Sequence, residues 1–330
     1  METTWRKGFM RTILLVLAFS IVYFTFINPE LISTYDEPHV QAFKTFVISL
    51  LLEAIPFLLI GVVVSSILNV FVPDDWIKRI LPRHPLLAIL VASLVGIILP
   101  LCECGMIPIA RSLMKKGLPT YAALTYVVAS PLINPIVFSS TLVAFRTDPS
   151  IAYMRMGVAL VCAFIVGFLI YKLIKYDVLR ETSLPGIHTH APSGTLSRRI
   201  YNASVHMGEE FMNMGKYLLL GVVITSAFQA FIGQDVFSRA GHVWGLDNVF
   251  MMVFAYVISL CSNTDAFIAS TFQGVFDKSS LLSFMVFGAM LDFKTTLMLL
   301  STFKRRFVFQ LSLIITITVL MVTIVLKFWT

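Results

Sequence analysis

Charge is scarce in this chain. Asp, Glu, Lys and Arg make up 13% of its 330 residues, against roughly 25% in a soluble globular domain, and this excludes a soluble enzyme. Alternating strands of about ten residues are missing too, which excludes an outer-membrane barrel. Only four cysteines occur, Cys102, Cys104, Cys162 and Cys261, all inside apolar stretches, so no aqueous loop is available for a disulfide framework to close. No P-loop, GxSxG or HExxH is found, so nothing supports ATP hydrolysis or peptide-bond chemistry. No cofactor is implied, and the chain does not read as an enzyme.

Hydrophobic residues, by contrast, make up 58% of the chain. Apolar segments cover about 45–72, 86–114, 119–145, 151–174, 211–232, 248–275, 280–302 and 307–328, each near or above the roughly 20 residues that a spanning helix needs. A further run, 12–28, follows Arg6, Lys7 and Arg11 without an A-x-A cleavage site and reads as a retained first helix. The net charge of +7 comes from basic residues at the ends of apolar segments. That is a membrane-orientation signal and not a nucleic-acid one.

A polar stretch at 176–207, with Pro185, Gly186, Pro192 and Gly194, reads as a linker between two halves. The halves repeat: LLIGVVVSSILNVFV at 58–72 matches LLLGVVITSAFQAFI at 218–232 with an offset of 160, and Leu101-Cys102 aligns with Leu260-Cys261 at an offset of 159. Two matches at nearly one spacing argue for duplication. With a cytoplasmic N-terminus and with 86–114 and 248–275 as re-entrant hairpins, 17 Lys and Arg face the cytoplasm. Six (Lys44, Arg146, Arg155, Arg239, Lys278 and Lys327) face the other side, as the positive-inside bias asks. Each repeat then has three crossings and a hairpin, an odd number, so the second copy is upside down. A nine-span arrangement is the alternative. The expected fold is an all-α polytopic membrane protein: an N-terminal helix and outer loop (1–42), a first repeat (43–175), a cytoplasmic linker (176–207) and a second, inverted repeat (208–330).

The apolar runs are interrupted in corresponding places. Pro100-Leu101-Cys102-Glu103-Cys104-Gly105, with Pro108 after it, breaks the first hairpin, and Cys261-Ser262-Asn263-Thr264-Asp265 breaks the second. Pro131-Leu132-Ile133-Asn134-Pro135 breaks the next helix of the first half, and its counterpart, about Gly288 to Lys294, carries Asp292 and Lys294. Proline removes a donor and glycine permits positive φ, so these helices are expected to open. Backbone opened at membrane depth survives only where protein buries it or it lines a wet cavity, and paired interruptions point to a midplane binding site.

PLCECGMIPIARSLMKKG (100–117), SPLINPIVFSSTLVAF (130–145), LCSNTDAFIASTF (260–272) and GAMLDFKTTLML (288–299), in this order, resemble the signature segments of the predicted bacterial permeases that include the trivalent organoarsenical effluxers, the ArsP-like family. The resemblance covers about 45–325. It implies a multi-pass permease of the bacterial cytoplasmic membrane, a family most of whose members have no established substrate. It also implies a small partner membrane protein, since relatives often occur beside one. The chain departs from the pattern at Glu103, where family members often carry a second small residue.

Several residues are candidates for chemistry, each with a competing structural role. Cys102 and Cys104, one residue apart, would turn both thiols to one side if that segment is extended, and Cys261 takes the matching place in the second hairpin. Three thiols would suit a soft cation or thiophilic metalloid; equally, cysteine is a small, commonly buried residue. Cys162, in an unbroken helix, reads as packing. Glu53, Glu103, Asp265 and Asp292 lie at or near membrane depth, where a charge costs at least about 2.5–3.5 kcal/mol on insertion scales. They are candidates to bind a cation, with Glu53, Asp265 and Asp292 as a proton or ion relay. The competing roles are backbone satisfaction near Pro56 for Glu53, an N-cap for Asp265 and pairing with Lys294 for Asp292. Asn134 and Asn263 are candidate solute contacts; Asn134 equally suits capping of its own broken helix. His188, His190 and His206 lack the Cys or carboxylate company of a metal site, and Glu209 and Glu210 read as interfacial charges.

The expected function is a permease moving a small solute by alternating access, exporting a thiophilic metalloid or soft metal species. The alternative is a non-transporting membrane subunit or scaffold of a two-component complex; a weaker third reading makes Glu103 and Asp265 the acid and base of a membrane enzyme. The expected surroundings are the lipid bilayer, a small-molecule or ion substrate and no nucleic acid, with a homo-oligomer left open.

Overall fold

The structure, a computed structural model, describes residues 38–71, 82, 84–97, 102–180, 196–231 and 247–328. The apolar run at 12–28, Pro100, Leu101, His188 and His190 lie outside the described residues. Residues 46–330 form one compact unit; residues 1–45 form another, of which only the first turns of α1 are described.

Among the described residues the chain is helical, and one order of elements occurs twice. The first half runs α1 (Pro38–Phe71), α2 (Pro85–Val95), α3 (Glu103–Lys115), α4 (Thr120–Ala129), α5 (Pro135–Ala144) and α6 (Ser150–Leu173). The second runs α7 (Leu196–Phe231), α8 (Asp247–Ile258), α9 (Asp265–Thr271), α10 (Lys278–Met290), α11 (Phe293–Thr302) and α12 (Arg305–Lys327). Each half is thus a long helix, two broken helix pairs and a second long helix. Among the described residues, five stretches are long and apolar enough to cross a bilayer: His39–Asn69, Ser150–Leu173, Ala203–Ala230, Lys278–Thr302 and Arg305–Lys327. Because α7 starts at Leu196, residues 196–207 of the polar stretch are helical and continue into the span.

The breaks fall where proline and small polar residues interrupt the apolar runs. Asn134 caps α5, its side chain accepting from Ile136 N–H, with Pro135 at the first helical position; proline there gives up a donor that the helix start does not use. Asp292 caps α11 in the same way, accepting from Thr295 N–H. After α8 the chain leaves helical geometry at Ser259, whose φ is +53°, and resumes at Asp265. In the first hairpin the opening precedes Glu103. Cys102 is extended there, with φ −75° and ψ 163°, whereas Cys104 and Pro108 lie within α3. The extended Cys-x-Cys segment of the sequence reading is therefore corrected: the proline at 108 is tolerated inside the helix, and the break lies upstream of it.

Equivalent helices make equivalent pairings. The α2–α4 packing is matched by α8–α10, α4–α6 by α10–α12, and α3–α11 by α9–α5, while α6 packs on α12. Side-chain contacts show which helix ends lie together. Asp148, just before α6, pairs with Lys278 at the start of α10 at 2.5 Å, and the Lys278 and Ser150 hydrogen bonds hold its carboxyl below the usual carboxylate range. Lys327, at the end of α12, reaches Asp247 at 3.6 Å and Asp277 at 3.3 Å, and Asn248 bonds Ser279 and Ser280. Both ends of the α8–α9 pair therefore sit together, beside the start of α6. At the far end of α6, the segment 174–180 docks on the corner between α11 and α12, where Lys304 N–H donates to Val178 O and Arg180 N–H to Thr302 O, each at 3.0 Å. Ile89 of α2 and Thr125 of α4 meet at Gly167, late in α6, and α3 turns tightly into α4 through Gly117, whose φ is +94°.

Among the described glycines, the tightest backbone-to-backbone approach joins α1 to α3. A Cβ added at Gly61 would fall 2.5 Å from the Cα of Gly105, and one at Gly105 would fall 2.8 Å from Phe57 O. Backbone faces backbone, so nothing can yield; small residues let membrane helices meet this closely. Gly157, in α6, has nothing within 4 Å of such a Cβ. Gly61→Ala should therefore cut the yield of monodisperse detergent-solubilised protein, measured by size-exclusion chromatography. Gly157→Ala should raise stability by about 0.5–1 kcal/mol through helix propensity alone. Equal behaviour of the two variants would contradict this packing.

Candidate functional site

The broken helices bring titratable residues into the interior. Lys294, in the first turn of α11, is 4% exposed, and its ammonium lies 3.8 Å from Glu103 Oε1 and 3.7 Å from Asp292 Oδ2. The Asp292 carboxylate is well occupied: one oxygen accepts from Thr295 N–H and the other from the Ser259 hydroxyl at 2.6 Å. Lys294 N–H donates back to Ser259 Oγ at 3.2 Å, so the openings at 259 and 292 are tied into one knot. Glu103, in the first turn of α3, has the other oxygen, Oε2, buried and without a hydrogen-bond partner.

Thiols flank this knot along the chain. Cys102, the half-buried N-cap of α3, and the buried Cys104 stand on either side of Glu103, and the buried Cys261 lies two residues after Ser259. Cys261 is 6% exposed in the opened segment after α8, and Glu53 of α1 is half-buried. Among the described residues, no three His, Cys, Asp or Glu side chains are grouped to hold a metal ion. The arrangement offers an acid–base–acid triplet with thiols on the opened segments that carry it, not a ready-made metal cage.

The family-model comparison matches the chain over residues 39–328 to a family described as predicted permease. This chain belongs to the predicted permease family. It is 42% identical over 280 residues to the UPF0718 protein YcgR of Bacillus subtilis (strain 168), covering 85% of this chain and 95% of that protein. It is 31% identical over 280 residues to a Streptococcus mutans protein named "Putative two-component membrane permease complex subunit", covering 83% and 93%. The UPF0718 protein YraQ of Escherichia coli (strain K12) is 23% identical over 116 residues, covering 35% of this chain and 33% of that protein. No solved structure matches the chain. The permease is a multi-pass bacterial membrane protein.

Two charged residues of this permease are misplaced by sequence reasoning. Arg155 reads as an outer-face charge at a segment edge, but α6 begins at Ser150 and carries Arg155 inward to 2% exposure, where it pairs with Asp265 Oδ2 at 2.7 Å. Asp265 is accordingly the first residue of α9, preceded by Thr264 at the N-cap, and it faces Arg155 instead of serving as the cap. Glu210 reads as interfacial, yet it is 4% exposed inside α7 and accepts a hydrogen bond from Ser65 of α1 at 2.8 Å, with Arg111 and Lys115 acting on it electrostatically. Its place inside a continuous α7 comes from a helix start that the polar composition of 196–207 conceals. Asn134 caps its own helix, and Cys162 is buried in α6. Asn263 sits in the opened segment with its side-chain oxygen buried and without a hydrogen-bond partner.

Removing one member of a buried charge network strands its partners, at a cost of about 3–5 kcal/mol. Lys294→Met should therefore lower the thermal-unfolding midpoint of the purified permease clearly, and adding Asp292→Asn should recover part of the loss. Scanning fluorimetry in detergent gives both values, and an unchanged midpoint for Lys294→Met contradicts the network.

Proposed function

We propose that this chain is itself the solute-moving permease of the bacterial cytoplasmic membrane, working by alternating access between two inverted repeats around a site where the broken helices meet. The observation that carries the reading is the buried meeting of Glu103, Lys294 and Asp292, contributed by the opened starts of α3 and α11, with Cys102 and Cys104 on either side of Glu103 in the chain and Cys261 in the opened segment after α8. Paired helix interruptions at midplane are where secondary transporters hold solutes.

The inverted arrangement draws support from the shared end of Asp247, Asp277, Lys327 and the start of α6. That end belongs to the second hairpin; the first hairpin turns into α4 at the opposite end. A cytoplasmic N-terminus keeps most Lys and Arg on the cytoplasmic side, and moving Arg155 to the interior deepens that asymmetry. The repeats are 43–175 and 208–330, with α7 extending the second back to Leu196.

Thiols select soft ions, so the favoured cargo is a thiophilic metalloid or soft metal species, moved outward and driven by protons or by an electrochemical gradient. Cys102, Cys104 and Cys261 would hold it, and Glu103, Asn134 and Asn263 would contact it; Glu53, Asp265 and Asp292 would relay the coupling charge. A second reading, a non-transporting subunit of a two-component complex, is favoured by the name of the Streptococcus mutans relative.

Purified protein in liposomes should take up or release phenylarsine oxide or Ag+. Cys102→Ser with Cys261→Ser should abolish that movement at unchanged membrane abundance. No flux from the wild-type chain alone favours the subunit reading, and full flux in the double variant rejects the thiol mechanism. Single cysteines at Lys115 and Lys278 should label from opposite sides of the membrane; labelling from one side contradicts the inversion.

A further inference from the structure

Arg155 is a buried charged side chain to which the transport scheme above gives no task. Its guanidinium joins both halves. Nη1 donates to Thr141 Oγ1 of α5 at 2.9 Å, while Nη2 donates to Asp265 Oδ2 at 2.7 Å, to Ser262 O at 3.1 Å and to Met285 O of α10 at 3.4 Å. A structural ion pair needs only the carboxylate. Here the same nitrogen also takes a carbonyl on the other side of Asn263, so its hydrogen bonds bracket the opened segment 262–265.

That segment and the residue before it carry two of the solute-site candidates, Asn263 and Cys261. Asn263 Oδ1 is buried and unpartnered within it. Cys261 precedes it, with its carbonyl accepting from Thr264 and Asp265 N–H at 2.9 and 3.0 Å. The opened stretch 259–264 between α8 and α9 has no helical ladder to fix it, and a loose segment in a membrane interior would present its groups in many directions. A planar guanidinium supplies several donors in a fixed fork, which an ammonium does not.

We propose that Arg155 is a positioning residue of the solute site: it clamps the segment from Ser262 to Asp265 against α5, α6 and α10 and thereby fixes where Cys261 and Asn263 present their side chains. The inference rests on the permease reading only for the use of that site; the clamp itself is a statement about order. It predicts that α9 moves with α5 and α6 as one piece, because the guanidinium that joins them is buried and bonded to each.

The test separates positioning from charge pairing. Replacing a buried ion pair by apolar residues of similar volume is commonly neutral for stability, so Arg155→Met with Asp265→Leu should insert and melt like the wild type. Each lost hydrogen bond to a charged group loosens the segment, and Cys261 should then react with N-ethylmaleimide roughly tenfold faster or more. Rates are read by mass spectrometry on the full chain in detergent, with Cys162 of α6 as the internal control. Arg155→Lys, which keeps the charge and loses the fork, should accelerate Cys261 in the same direction and decides alone if the double variant fails to insert. An unchanged Cys261 rate in the variants that insert overturns the clamp. In liposomes, the half-saturating concentration of phenylarsine oxide should rise in Arg155→Lys. Wild-type chains that move no probe while the Cys261 rate shifts would remove the permease reading and leave the clamp standing. Probe movement with unchanged labelling would remove the clamp and leave the permease.

Discussion

Hydrocarbon has no hydrogen bond to offer a peptide group, and the interior of this chain is organised around that constraint. Four helix pairs open within the bundle, and each opening needs partners that water cannot readily supply. Asn134 and Asp292 provide them as side-chain caps, Ser259 ties the second hairpin to α11, and Arg155 supplies donors to Ser262 O and Met285 O. The polar residues of the core are thus first of all backbone partners. Their candidacy as a solute site follows from what is left over: Glu103 Oε2, Asp265 Oδ1 and Asn263 Oδ1 are buried and unpartnered.

Charge obeys the same logic. An ion at the bilayer centre costs at least about 2.5–3.5 kcal/mol. Five unpaired ions, Glu103, Arg155, Asp265, Asp292 and Lys294, would together cancel the whole ~5–15 kcal/mol margin of a folded protein. They persist because they occur as a pair and a triplet, each spanning the two halves of the chain. The interior therefore holds the two halves together through these groups.

Much of this was legible in the sequence because the signals are local. Proline beside Asn134, small polar residues after Cys261 and a lone Asp292 in an apolar run each announce a helix end within a few residues, and all of these ends are found. The pairing of Asp292 with Lys294 was legible for the same reason, two residues of separation. What escaped depends on long-range contact or on an exact helix start. Arg155 meets Asp265 across 110 residues and Ser65 meets Glu210 across 145, and no periodicity encodes either meeting. Arg155 stands so close to the start of its apolar segment that composition assigns it to the water side; only the start of α6 at Ser150 shows that it lies more than a turn inside.

The account turns on the opened segments being exchangeable rather than sealed. Hydrogen–deuterium exchange of the chain in lipid nanodiscs, read by mass spectrometry, addresses this directly. Amides of 259–264 and 291–294 should exchange well ahead of the cores of α6 and α12, and bound phenylarsine oxide or Ag+ should slow them. Protection of those segments equal to that of the α12 core, indifferent to either probe, would mean that nothing enters there, and the transport account would be contradicted.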